Sequence, residues 1–181
     1  MRKRTRTMLT AGTLSAVALT VAAGATASAS TAQRHRVDAA SCTISDMQAR
    51  MYDAGLLGLG NQGLMLTLTN NATHTCQVTG YPVLRMEDSA HRVLPTSVRQ
   101  GPTFFNEDPG PSVVELSPGE RASAVVAWGT PPGGTDVQPA YLRVSLTDSA
   151  GAFLRVPFQQ TNVTSGRLSV TALAAHTPLS R

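Results

Sequence analysis

The chain has 181 residues, with 15 Lys+Arg against 11 Asp+Glu; 41% of it is hydrophobic and 14% charged. Four of the cations, Arg2, Lys3, Arg4 and Arg6, stand in the first six positions, and without them cations and acids balance. The basic pI therefore belongs to the leading segment, which excludes an inference from a basic chain to nucleic acid, and the apolar content excludes a wholly disordered chain.

The leading segment predicts a secretory signal over residues 1–29. A cationic start is followed by the apolar run from Met8 to Ala23 and by the small-x-small cleavage patterns Ala25-Thr26-Ala27 and Ala27-Ser28-Ala29. The alternative is a retained anchor, but the run is poor in Leu and Ile for a span of ~20 residues. Cleavage after Ala29 leaves a secreted, extracellular or cell-wall-associated chain with no membrane span. Residues 30–41 show no apolar period and predict a disordered lead-in.

Export makes the only two cysteines legible. Cys42 and Cys76 allow one connectivity, and in an oxidising compartment a disulfide is the expected state. A reactive thiol would need a basic neighbour to lower its pKa, and neither cysteine has one adjacent. The spacing also lacks the close ligand pairs of structural zinc motifs.

From Cys42 onward the pattern is period two. Leu64, Leu66 and Leu68 alternate with other residues, as do Ala122, Ala124, Val126 and Trp128. Leu142, Val144 and Leu146, then Leu154, Val156 and Phe158, then Leu168, Val170 and Ala172 repeat it. Such runs mark strands with one buried face. Turn residues separate them at Asn70–His74, Asp88–His91, Ser117–Glu120 and Asp148–Gly151. The expectation is an all-β chain: a single antiparallel β-sandwich over 42–175, immunoglobulin-like, of about seven strands, then a tail over 176–181. Its core is expected to hold Leu66, Leu68, Val126, Trp128, Leu142, Val144, Val156 and Val170. Gly55–Gly63, Arg99–Pro111 and Thr130–Pro139 read as loops.

Three stretches carry a likeness: Leu66-Thr67-Leu68-Thr69-Asn70, then Cys76-Gln77-Val78-Thr79-Gly80-Tyr81-Pro82, then Leu116-Ser117-Pro118-Gly119 before the strand ending in Trp128. In this order they resemble the secreted actinobacterial family called domain of unknown function 4232, over about 42–173. The resemblance implies export and an all-β domain, and it carries over no catalytic residue. Many relatives have a second cysteine pair; the matching regions here, around Gln138 and before Gly166, have none.

No catalytic set is expected. His35 and His176 fall in tails, His74 and His91 in turns, and the adjacent acids Glu87-Asp88 and Glu107-Asp108 read as turn charge rather than a glycosidase pair. Met47, Met51, Met65 and Met86 with His74 and His91 raise copper binding, but no close Met–His cluster supports it, and no cofactor is expected. The sequons at Asn71 and Asn162 read as chance. The expected function is a non-catalytic, monomeric domain binding a protein or an envelope glycan, with Phe104, Phe105, Glu107 and Asp108 as contact patch. The alternatives are a secreted hydrolase using His74 or His91, and an extracytoplasmic copper protein.

The disulfide gives the first test. Intact mass of the exported protein after alkylation without reductant should show no modified thiol, and two modified thiols would contradict the pairing. Cys76→Ser should cost about 3–4 kcal/mol in denaturant unfolding, the chain-entropy value for a loop of this length.

Overall fold

The computed structural model describes residues 39–129, 136–147, 151–158 and 163–175. The expected leader, lead-in residues 30–38, residues 130–135, the turn at 148–150, the tail, His35, His176 and the Asn162 sequon lie outside them. After a 3₁₀ turn (Ile44–Asp46) come strands β1 (Met47–Tyr52), β2 (Leu57–Gly58), β3 (Asn61–Asn70), β4 (Cys76–Thr79), β5 (Val83–Glu87), β6 (Ser97–Gln100) and β7 (Val113–Leu116). They are followed by β8 (Arg121–Gly129), β9 (Asp136–Val137), β10 (Tyr141–Ser145), β11 (Leu154–Pro157), β12 (Val163–Thr164) and β13 (Arg167–Val170). The chain is all-β, but the expectation of about seven strands is too low, because short segments with little apolar content also pair.

The strands form several sheets. The largest runs β1-β3-β8-β13-β6, with β2 folded back on β3; β11-β10-β5, β12-β9 and β4-β7 complete the set. The expectation of purely antiparallel pairing needs one correction: β6 lies parallel to β13, Ser97 opposite Arg167 and Gln100 opposite Val170. Ser165 and Gly166, both at positive φ, make the two-residue turn into β13, a primed geometry suited to hairpins. A Cβ at Gly166 would meet the Pro95 carbonyl oxygen at 2.1 Å, and the Gly166 carbonyl accepts the Ser97 N–H at 2.9 Å. Only glycine lets the chain before β6 come this close.

The longest register joins β3 to β8, from Asn61 opposite Gly129 to Thr69 opposite Arg121. Its inner face carries Leu66, Leu68, Ala122, Ala124, Val126 and Trp128 into one large apolar cluster. That cluster also takes Leu84 and Met86 of β5, Leu142 and Val144 of β10, Val156 of β11 and Val170 of β13. All eight core residues expected from the alternation are buried in it. Trp128 meets Phe158 edge to face at 5.1 Å. Its indole N–H, expected to find an acceptor once buried, has none among the described residues.

The outer face of the same pair is buried too, contrary to a one-faced strand. Met65, Val125 and Ala127 form a second apolar cluster with Leu56 and Phe105. Phe105 reaches down over Gly63, where a Cβ would lie 3.0 Å from its ring and 3.3 Å from Leu56. Gly63, read from sequence as the end of a loop, is thus inside β3, and its missing side chain is the seat of the ring.

At its other end the pair is closed by Asn70, which is fully buried. Its amide donates to the carbonyls of His74 (2.9 Å) and Leu116 (2.8 Å), and its side-chain oxygen accepts the Ala72 N–H. Its backbone bonds Gly119 and Glu120 in the next turn. The Cys42–Cys76 disulfide is formed. Ala40 and Ser41, assigned from sequence to the lead-in, already run beside β4: the Gln77 N–H donates to the Ala40 carbonyl and the Cys42 N–H to the Gln77 carbonyl.

The seat of Phe105 gives a double-mutant test. Gly63→Ala should cost about 1–3 kcal/mol, the usual range for overpacking a filled core. In a Phe105→Ala background the same change should cost much less, since the ring is the nearest group to the methyl and only the Leu56 Cβ at 3.3 Å remains against it. Equal costs in both backgrounds would contradict the packing.

Candidate functional site

Arginines and acids occupy different parts of the framework. The six strands of the large sheet contain no Asp or Glu. By register, Arg50, Arg121, Arg99 and Arg167 all fall on the outer face, the side of Met65 and Ala127. The acids sit mainly in turns and loops. The balance of charge beyond the first six residues therefore conceals a basic sheet face.

At the end of this face where β8 leaves the sheet lies an open groove of about 620 Å³. Its walls come from β6, β13 and the loop after β6: Arg99, Arg167 and Phe104 stand with Ser97, Ser169 and Asn61 over a floor that includes Ala127 and Gly129. Parallel pairing of β6 with β13 brings Arg99 opposite Ser169 and Arg167 opposite Ser97, so the arginines are diagonal neighbours. Arg99 donates from Nη2 to the Pro102 carbonyl at 2.9 Å, which steadies it at the mouth. Neither guanidinium is ion-paired to a carboxylate among the described residues. A pair of exposed guanidiniums beside polar side chains suits a planar or tetrahedral oxyanion.

The loop that walls the groove divides the expected contact patch. Phe104 is 53% exposed, whereas Phe105 is 9% exposed and roofs the second apolar cluster; the rings meet edge to face at 5.2 Å. The two do not form one exposed aromatic pair, because a turn held by the Thr103 hydroxyl, which accepts the Asn106 N–H at 3.1 Å, turns them opposite ways. Glu107 is exposed. Asp108 is an anchor: it accepts the Tyr81 hydroxyl and the Ala172 N–H at 2.8 Å, and the hydrogen bond from Tyr81 holds the Tyr81 pKa above its ordinary value. Sequence reasoning missed Arg99 and Arg167 as groove residues; no local signal pairs them.

Among the described residues, the histidines and methionines do not converge as copper would need. Met65 fills the outer cluster and Met86 the inner one, and His74 lies in an exposed turn. His91, at φ +62 in its turn, rests on the Tyr141 ring at 4.8 Å with Nδ1 3.7 Å from Glu87. Glu87, expected to be solvated turn charge, is instead fully buried. Both its oxygens are engaged: Arg155 Nε donates to Oε2 at 2.6 Å and Arg143 Nε to Oε1. Hydrogen bonding from Arg155, reinforced by Arg143, outweighs burial and holds the carboxyl below its ordinary pKa. A carboxylate so engaged is a poor base for His91 to work with.

This carboxylate sets an acid-dependent part of stability. A group whose folded pKa is depressed contributes fully above its unfolded value, near ~4.3 for Glu, and that contribution is lost as pH falls through the folded value. Asp88, lowered chiefly by the Arg92 N–H, and Asp46, lowered by Thr43, act in the same sense. Urea unfolding from pH 7 to 2.5 should show falling stability in the parent. Glu87→Gln should be less stable by about 3 kcal/mol at pH 7 and show a shallower acid slope; an unchanged slope would contradict the role of Glu87.

No helix among the described residues is long and apolar enough to cross a membrane. No curated protein and no solved structure matches the chain. The family model described as domain of unknown function 4232 matches residues 42–174, nearly all of the described framework, and the chain belongs to that family.

Proposed function

We propose that this protein is an exported, non-catalytic module, secreted or held at the cell wall, that binds an acid-bearing envelope glycan in the Arg99–Arg167 groove. The observation that carries the reading is the groove itself: two guanidiniums without carboxylate partners among the described residues, beside the exposed Phe104 ring. Guanidiniums meet carboxylate or phosphate groups. The hydroxyls of Ser97 and Ser169 and the amide of Asn61 match sugar hydroxyls, and an aromatic face suits the apolar face of a sugar ring. A protein partner is the weaker option, since the groove has one exposed large apolar side chain rather than a desolvated cluster of anchors. The disulfide supports an oxidising compartment. The scaffold is read as an immunoglobulin-like sandwich, since sheets on either side share one apolar cluster.

Co-sedimentation with purified cell walls tests this. The mature protein should bind walls that retain their acidic polymer and lose most binding when the polymer is stripped or salt is raised, as exposed charge contacts do. Arg99→Ala/Arg167→Ala should weaken binding at least about tenfold, equivalent to roughly 1.4 kcal/mol, and Phe104→Ser by a smaller factor without loss of fold. Equal binding by parent and double variant would overturn the reading.

A further inference from the structure

A second arginine array lies on the far side of the molecule's core, on the outer face of β11-β10-β5. Arg143 stands directly opposite Arg85 on one side and Arg155 on the other, while the alternate residues Leu84, Met86, Leu142 and Val144 enter the core. Three like charges opposite one another across adjacent strands are destabilising, and the array holds one acid, Glu87. A purely structural role would be complete with a single Glu–Arg pair. Two further features point outward instead. Glu87 holds Arg155 by Nε and, at 3.4 Å, by Nη2, but Arg143 by Nε only, which leaves the Nη groups of Arg143 without a protein acceptor among the described residues. Phe153 lies against both guanidiniums, 4.3 Å from Arg143 and 5.4 Å from Arg155, fixing their planes. Arg85 is exposed, has no ion-pair partner among the described residues, and borders a cavity of about 330 Å³ with the polar side chains of Thr96 and Gln100.

We infer that this face is a second binding site, for a phosphate dianion, in which Arg85 and Arg143 contact the ligand and Glu87 is a positioning residue that aims Arg143 and Arg155. Three guanidiniums less one carboxylate leave two positive charges, which match a dianion better than a carboxylate. Planar N–H forks suit tetrahedral oxyanions, and a buried anion holding them in place removes part of the ordering cost of binding. The site does not depend on the groove, because no residue is shared.

The test is titration of the mature protein at pH 7.5 and fixed ionic strength with inorganic phosphate, glycerol phosphate and acetate, read by arginine Nε–H resonances and by melting temperature. Both phosphates should shift the signals of Arg143 and Arg155 and raise the melting temperature, with acetate at least tenfold weaker. A stronger response to glycerol phosphate than to inorganic phosphate would assign the ligand to an ester rather than the free ion, and the reverse would assign it to the free ion. Arg85→Ala, an exposed and unpaired position, should fold normally and bind at least tenfold more weakly. The groove variant Arg99→Ala/Arg167→Ala should bind phosphate as the parent does. Unchanged affinity in Arg85→Ala, or acetate binding as tightly as phosphate, would overturn the inference.

Discussion

The pairing of β3 with β8 is the constraint on which the rest depends. It has the longest register in the molecule and is apolar on both sides, so each face must be covered. The inner face is covered by the strands that share the main cluster. The outer face has a shorter cover, made by Phe105 from the loop after β6 and Leu56 from the segment just before β2. Because that cover is short, the sheet beyond it stays bare, and the bare end is the groove. A two-sided strand pair thus produces a rigid floor with an open margin, which is how binding sites are commonly built on β frameworks.

The loop over the outer face is itself fixed at several points. Phe105 sits on Gly63, Thr103 closes the turn, and Asp108 bonds Tyr81 and the backbone of Ala172. These contacts determine that Phe104, the neighbour of a core residue, faces outward. At the opposite end Asn70 links two turns through its side chain and backbone. This gives a physical reason for Asn70 beside the turn at Ser117–Glu120: without the amide, the carbonyls of His74 and Leu116 would lose this donor, the latter in a buried setting.

Period-two alternation made the inner faces of β3, β8, β10, β11 and β13 readable, since those residues obey the geometry of a strand against one core. The second face was readable in principle. The unbroken apolar run from Ala124 to Trp128 is the pattern of a strand covered on both sides, but Phe105, which completes that cover, lies in a loop with nothing to distinguish it from Phe104. Strand β6 holds one apolar residue, Val98, and gives no period. The groove was not legible because Arg99 and Arg167 meet only through parallel pairing of distant segments. Glu87 resembled its neighbour Asp88 in sequence, yet the arginines that bury it come from 56 and 68 residues away.

Charge placement links these points to function. Beyond the first six residues the charges balance and suggest a surface without direction, whereas the fold sets arginines on sheet faces and leaves most acids at turns, giving basic faces. The proposed glycan groove uses one such face. Amide hydrogen exchange of the protein, with and without fragments of an acidic wall polymer, tests this proposal most directly. The account predicts that β3 and β8 exchange slowest in both states, and that the polymer adds protection at Ser97–Arg99, 101–104 and 167–169. Added protection at the turns 71–75 and 117–120, with the groove unchanged, would contradict it.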